Sequence, residues 1–301
     1  MAETCEGRVV VVTGAGNGIG RAHALAFARA GARVVVNDLG VARDGSGDST
    51  RPAEAVAEEV AALGGRAVVN FDDVSDWAGA QRLVEQAVAE FGRVDTVVNN
   101  AGILRDRALV NMTEEDWDAV TAVHLKGTFA VLHHAARHWR ERAKAGEAVA
   151  GRVVNTTSTS GLYGNPGQSN YAAAKAGIAA LTVGAAQELA RYGVTVNAVA
   201  PAALTRMTED LGVMPALAEQ HDLRPESVSP VVVWLGGPGS GHVTGRVVTV
   251  FGSRISVAEG WVDGPSASAP DGWRPETVGE ALTALVERAA PNSDAFGRRP
   301  V

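Results

Sequence analysis

Val9-Val10-Val11-Val12-Thr13-Gly14-Ala15-Gly16-Asn17-Gly18-Ile19-Gly20 is the stretch that decides the fold. The valine run is apolar on both faces, as a strand buried inside a parallel sheet must be. A glycine-rich turn follows, and the amphipathic pattern of 18–30 then opens a helix. A strand, a glycine turn and a helix in that order aim backbone N–H groups at a dinucleotide pyrophosphate. Gly14 lets the chain turn off the strand, Gly18 admits an anion close to the backbone, and Gly20 lets the helix pack on the sheet. The spacing is T-G-x-x-x-G-x-G rather than G-x-G-x-x-G. Taken alone, such a motif also fits a turn that binds nothing, so its surroundings matter. The candidate contacts here are Gly14, Asn17, Gly18 and Ile19.

The same alternation continues outward. Val-rich runs at 8–13, 33–37, 66–70, 95–99, 151–157, 194–200 and 246–250 read as strands. Amphipathic stretches at 18–30, 52–63, 75–91, 113–142 and 169–192 read as helices. Alternating strand and helix predicts an α/β fold with a doubly wound, parallel, seven-stranded sheet covered by helices on both faces. Ser75 is placed to cap the third helix, and Thr113 before Glu114-Glu115-Asp116 to cap the fourth. A polar loop at 40–51 contains Gly45-Ser46-Gly47. One cofactor-binding and catalytic domain spans 1–259. A Gly/Pro/Ser-rich linker and a short helix at 276–289 make a C-terminal arm, 260–301, whose Trp261 and Trp273 are placed to anchor on a neighbouring subunit.

The 301 residues are 46% hydrophobic and 20% charged, with a net charge of −7. That acidity argues against a phosphate-seeking nucleic-acid binder. Among the 27 basic residues only Lys126, Lys144 and Lys175 are lysines, which makes each one informative. Cys5 is the single cysteine, so no intrachain disulfide forms, as in a reducing cytosol. No apolar run approaches the roughly 20 residues that span a bilayer, and no signal-peptide pattern stands at the N-terminus. Arg299-Pro300-Val301 is not a peroxisomal address. The expectation is a cytoplasmic protein that binds neither membrane nor nucleic acid.

Asp38 follows the second strand. A carboxylate there accepts both adenosine ribose hydroxyls and repels a 2′-phosphate. No Arg or Lys stands beside it, which points to NAD(H) rather than NADP(H); the alternative is a turn cap within Asn37-Asp38-Leu39-Gly40. Asp73 and Val74, after the third strand, are candidates for the adenine, although Asp73 also fits an ordinary loop acid. Asn99-Asn100-Ala101-Gly102 ends the fourth strand, and the small residues after Asn100 let backbone pass close to a ribose. Asn99 also suits hydrogen bonding between strands.

Tyr171 and Lys175 lie four residues apart on one helix face. A phenol is a poor base at neutral pH, but a neighbouring ammonium, together with the positive nicotinamide, favours phenolate. Tyr171 then exchanges a proton with an alcohol or ketone, and Lys175 also reaches the nicotinamide ribose. Ser158, just past the fifth strand, is placed to bind the substrate oxygen. Ser160 and Thr157 are its rivals if the strand register differs. Tyr-x-x-x-Lys alone is weak; joined in one order to the phosphate turn, the acid and the serine, it is specific.

Together these residues resemble the short-chain dehydrogenase/reductase family over about 7–255. The resemblance implies a Rossmann-type sheet of order 3-2-1-4-5-6-7, catalysis by Ser158, Tyr171 and Lys175, and homodimers or homotetramers packed through the two long helices. Asn37-Asp38-Leu39-Gly40, Asn99 through Arg107, Val123-His124-Leu125-Lys126-Gly127, Gly161-Leu162-Tyr163-Gly164-Asn165 and Arg206-Met207-Thr208 are similar to the dehydrogenase region of the peroxisomal multifunctional enzyme type 2 family. That family oxidises (3R)-hydroxyacyl-CoA with NAD+, and its members include 17β-hydroxysteroid dehydrogenases. The narrower resemblance implies a CoA thioester substrate, with a bulky or steroid acyl group in range. His124 stands where the wider family keeps an Asn supporting a proton-relay water; it serves that relay or merely packs. Pro201-Ala202-Ala203-Leu204 lacks the wider family's Pro-Gly, and Pro201 and Thr205 are the candidates near the nicotinamide amide. The stretch 206–221 occupies the family's substrate-lid position, with Met207, Leu211, Val213, Met214 and Leu217 as apolar cover or core. Arg105, Arg107 and Arg254 are candidates for the thioester phosphates. Hydratase and sterol-carrier functions are expected on separate proteins, if present at all.

Overall fold

The computed structural model describes residues 5–47, 49, 51–204, 217–294 and 297–299. Thr205, Met207, Leu211, Val213 and Met214, named above, lie outside the described residues.

The strands are β1 (Val9–Thr13), β2 (Arg33–Asn37), β3 (Arg66–Asn70), β4 (Thr96–Asn99), β5 (Arg152–Thr156), β6 (Thr195–Ala202), β7 (Val247–Phe251) and β8 (Arg254–Ala258). They form one sheet in the order β3-β2-β1-β4-β5-β6-β7-β8. All pairs are parallel except β7–β8, so the expected seven-stranded order is present and an antiparallel edge strand extends it. The valines alternate between two cores, as a period of two requires. Val10, Val12, Val34, Val36, Val98 and Val154 pack on one face with Phe27 and Leu235. Val9, Val11, Val35, Val97, Val153 and Val196 pack on the other with Leu83 and Trp139.

Helices α1 (Gly18–Arg29), α2 (Arg51–Ala62) and α3 (Trp77–Phe91) agree with the pattern within two residues. Asp76, not Ser75, caps α3: its carboxylate accepts the Gly79 N–H at 2.8 Å, while the Ser75 N–H is held by Asp73. The long 113–142 stretch is three pieces: α4 (Glu114–Thr121), a π-helical turn (Ala122–Lys126) and α5 (Gly127–Lys144). Thr113 caps α4 as expected, in a reciprocal box with Asp116. Then come the short α6 (Thr159–Tyr163), α7 (Ser169–Leu189), α8 (Ser229–Gly236) and α9 (Pro275–Arg288). The strand order reverses direction between β1 and β4, and a crevice opens there at the carboxyl ends of the strands, where ligands bind in such sheets.

Candidate active site

A cleft of about 590 Å³ occupies that crevice, lined by Gly14, Asn17, Gly18, Ile19, Asp38, Asp73, Val74, Asn100, Ala101 and Gly102. Ten of the sequence-predicted cofactor contacts therefore share one wall system. Gly14 has φ +62°, and a Cβ on it would lie 2.7 Å from the Ala101 Cα, so only glycine fits this turn. The turn is pinned from β4: Asn100 Nδ2 donates to the Thr13 and Gly14 carbonyls at 3.0 and 3.2 Å. Thr13 Oγ1 accepts the N–H groups of Asn100 and Ala101 at 3.0 and 3.1 Å. Asn100 thus works on the protein's own turn. Asn17, the N-cap of α1, makes no side-chain cap bond, and the first turn carries no acid. The helix N–H groups are left for an anion, as a pyrophosphate requires.

Asp38 faces the turn and holds it: Oδ2 accepts the Gly16 N–H and Oδ1 the Gly40 N–H, each at 2.7 Å. The turn-cap role weighed above is therefore real. Each carboxylate oxygen keeps a second lone pair for a ribose hydroxyl. Asp73 accepts the Ser75 N–H at 2.7 Å, and Val74 is buried beside it. These residues fit the adenosine half of a dinucleotide. Asn99 has the structural role: its Nδ2 donates to Asn155 Oδ1, whose own amide donates to Thr182, each at 2.9 Å.

Beside the cleft stands a second group, Ser158, Tyr171 and Lys175. Ser158 caps α6 by accepting the Ser160 N–H at 3.1 Å. The rivals are engaged elsewhere: Thr157 Oγ1 donates to the Lys175 carbonyl at 2.7 Å and Ser160 Oγ to Gln168 at 2.8 Å. Lys175 is buried; Nζ donates to the Thr156 carbonyl at 2.6 Å and sits 5.5 Å from the centre of the Tyr171 ring. Burial pushes the Lys175 ammonium down to about 7. Burial pushes the Tyr171 phenol up to about 12, Ser158 opposing this by a hydrogen bond and Asp106 reinforcing it. The expected lowering of the phenol by Lys175 is not what this arrangement gives. Desolvation disfavours the charges of both groups, and the ammonium is directed at a carbonyl rather than at the phenolic oxygen.

His124 joins the two groups. It lies in the π-helical turn, fully buried, with its ring edge-on to Tyr171 at 5.1 Å between centroids. Its Nε2 is 3.1 Å from the Ile103 nitrogen and 2.8 Å from the Ile103 oxygen, while Nδ1 has no partner among the described residues. Burial, with Lys175 nearby, holds it well below the ordinary imidazole range, so the ring is neutral. Pro201 sits near the end of β6, paired with Val250.

Sequence reasoning missed Asn170. It is fully buried at the start of α7, donates to the Arg105 and Asp116 carbonyls at 3.1 and 3.0 Å, and accepts the Tyr171 N–H at 2.8 Å. An Asn opening a helix pattern was the available signal. The arginines put forward for phosphates are differently placed. Arg105 Nε donates to the Asp44 carbonyl at 2.9 Å and its NH1 pairs with Glu115. Arg107 pairs with Asp116 at 2.7 Å, and Arg254 is exposed at the start of β8.

The family model described as short chain dehydrogenase matches residues 8–214. The hydroxyacyl-CoA dehydrogenase ChsB1 of Mycobacterium tuberculosis (strain ATCC 25618 / H37Rv) is 48% identical over 256 residues, 83% of this chain and 79% of that one. Peroxisomal multifunctional enzyme type 2 of Mus musculus is 47% identical over 231 residues; the match takes in 76% of this chain but only 30% of that longer protein. A crystal structure of a short chain dehydrogenase from Mycobacterium avium superposes with a TM-score of 0.87 at 51% identity, covering 96% of this chain and 98% of that one.

Proposed function

The chain belongs to the short-chain dehydrogenase family and is an oxidoreductase, and on that premise we propose that it oxidises (3R)-hydroxyacyl-CoA thioesters to 3-ketoacyl-CoA with NAD+. Bulky acyl groups, steroid ones included, belong to the proposed range. The observation that carries the reading is Asp38: a carboxylate beside the glycine turn accepts ribose hydroxyls and opposes a 2′-phosphate. The thioester part rests on the names borne by the M. tuberculosis and mouse relatives.

When bound, the nicotinamide ring supplies the hydride acceptor. The chain's own residues then divide the work. Ser158 hydrogen-bonds the substrate oxygen and fixes its distance from the phenol. Tyr171 takes the hydroxyl proton as the carbonyl forms, and returns it in the reverse direction. Lys175, tied to the Thr156 carbonyl, stands beside the phenol and would add positive charge there only in its protonated form; a bound cationic nicotinamide would be what opposes the burial that keeps the phenol protonated. His124, neutral, close to Gly102 and edge-on to Tyr171, positions the phenol. Pro201, near the end of β6, belongs to the nicotinamide end in this reading.

A second reading, reduction of a 3-oxoacyl or other ketone substrate, is favoured by the protonated Tyr171, which is already the proton donor that direction needs. We also propose that the protein assembles as a homodimer or homotetramer through α5 and α7. The exposed Phe129 and Val183, beside a shallow apolar groove containing Leu125 and Leu181, support this. The 260–301 arm joins such an interface in this reading: α9 has no buried residue and Trp261 is 99% exposed. The buried, unpaired Cys5 thiol fits a reducing compartment such as the cytoplasm.

The test is a comparison of (3R)- and (3S)-hydroxyacyl-CoA esters, free hydroxysteroids and their ketones with NAD+, NADP+ and the reduced forms. Fast NADH formation from the (3R) thioesters is expected. Turnover of free alcohols without thioesters would overturn the substrate assignment, and faster turnover with NADP+ the cofactor assignment.

A further inference from the structure

The polar loop after β2 has no part in the chemistry described so far, yet it crosses the cleft. Leu39, Val41, Ala42 and Gly45 line it together with Ile103 and Arg105, from the segment after β4. The two segments are fastened together. The Leu104 N–H donates to the Arg43 carbonyl and Arg105 Nε to the Asp44 carbonyl, both at 2.9 Å. Gly45 lies against Ile103 so closely that a Cβ on Gly45 would be 3.2 Å from Ile103 Cδ1. The loop tip has its own structure: the Ala42 N–H donates to Ser46 at 2.7 Å, and Asp44 accepts both the N–H and the hydroxyl of Ser46. Gly40 and Gly45, with φ +76° and +89°, supply backbone freedom at the root and the tip.

We propose that residues 40–47 are a strap that closes over the bound dinucleotide, and that Arg105 is the latch holding it shut. The strap joins the carboxyl end of β2 to that of β4, across the crevice into which the α1 N-terminus and Asp38 face. Arg105 is a positioning residue: it holds the strap through the Asp44 carbonyl and is itself steadied by Glu115. A dinucleotide enters or leaves when this latch opens, so the latch sets the rate of cofactor release, a step that often limits turnover in enzymes with closing loops. The inference rests on the dinucleotide reading above.

The experiment measures NADH dissociation from the full-length protein by stopped-flow displacement, with thermal unfolding recorded alongside. Arg105→Ala removes the latch, and Gly45→Val obstructs the strap from the opposite side. Both are expected to release NADH about tenfold faster, the scale of one lost hydrogen bond to a charged group. KM for the dinucleotide should rise by a larger factor than kcat changes, a split that general loss of structure does not produce. Release rates within twofold of wild type in both folded, NADH-binding variants would overturn the strap and leave the dinucleotide reading standing. A wild-type protein that binds neither NADH nor NADPH would remove both.

Discussion

Gly102 and His124 meet so closely that a Cβ added to Gly102 would lie 2.3 Å from His124 Cε1. The same imidazole stands edge-on to Tyr171, with 5.1 Å between ring centroids. One neutral, buried ring therefore lies against both the cleft backbone and the phenol. The π-helical turn makes this possible, because its extra residue per turn re-aims His124 out of the α4–α5 register.

Gly102→Ala is expected to push His124 against Tyr171. The overpacking should cost about 1–3 kcal/mol of stability. Displacement of the phenol should lower kcat by roughly 10–100-fold, with dinucleotide affinity changed less. Thermal melts and steady-state kinetics on the same preparation check both. An alanine variant with wild-type kcat would show that the ring does not position Tyr171.

Asp38→Asn removes the charge and keeps an acceptor for only one of the Gly16 and Gly40 N–H groups, which Oδ2 and Oδ1 accept separately in the wild type; thermal melts on the same variant record the cost of the lost bond. The wild type should prefer NAD+ to NADP+ by on the order of 100-fold or more, since like charges held together cost several kcal/mol. The Asn variant should lose most of that preference. The ratio of kcat/KM values for the two cofactors measures it, and an unchanged ratio would place discrimination elsewhere.

Lys175 titrates near 7 when folded, against 10.5 unfolded. Between those values the unfolded chain binds more protons, so stability should rise with pH from about 7 to 10. Lys175→Met lacks this slope. Relative to that variant, the wild type should gain about 2–4 kcal/mol over the range, an order-of-magnitude figure from the pKa difference. Denaturant melts at several pH values provide the comparison; parallel profiles would mean that the ammonium is not desolvated.

His23 gives a slope at acid pH. Its Nδ1 lies 2.9 Å from Ser229 Oγ, and burial holds the ring down to about 3, against 6.5 unfolded. Below 6.5 the unfolded chain binds the proton first, so stability should fall as pH drops from 6.5 toward 3. From pH 6.5 to 5 the loss attributable to His23 should be about 2 kcal/mol. His23→Gln should show a shallower decline, and an equal decline would assign the effect to other groups.

The parts of this architecture that repeat were legible in the residues. The valine strands and the glycine turn announce themselves because burial on both faces and a left-handed backbone each restrict the residue choice. Strand β8 escaped because it is an exposed edge strand, reached by a turn at Gly252-Ser253, whose Ile255 and Val257 alternate with polar residues instead of forming a continuous apolar run. The π turn at His124 is invisible to a helical periodicity that assumes 3.6 residues per turn. Ser158 was separated from Thr157 and Ser160 only by hydrogen bonding, since all three side chains cluster at the end of β5. The protonation of Tyr171 and Lys175 depended on burial, which spacing along a helix does not report.

In the proposed reaction Tyr171 carries the substrate proton while the cleft holds the dinucleotide. Single-turnover oxidation of a (3R)-hydroxyacyl-CoA ester by the NAD+-loaded enzyme, wild type against Tyr171→Phe, tests it most directly. Undiminished NAD+ binding is expected, with a chemical step slowed by about 10²–10⁴-fold, the usual worth of a positioned acid–base group. A Phe variant that turns over at the wild-type rate would contradict it.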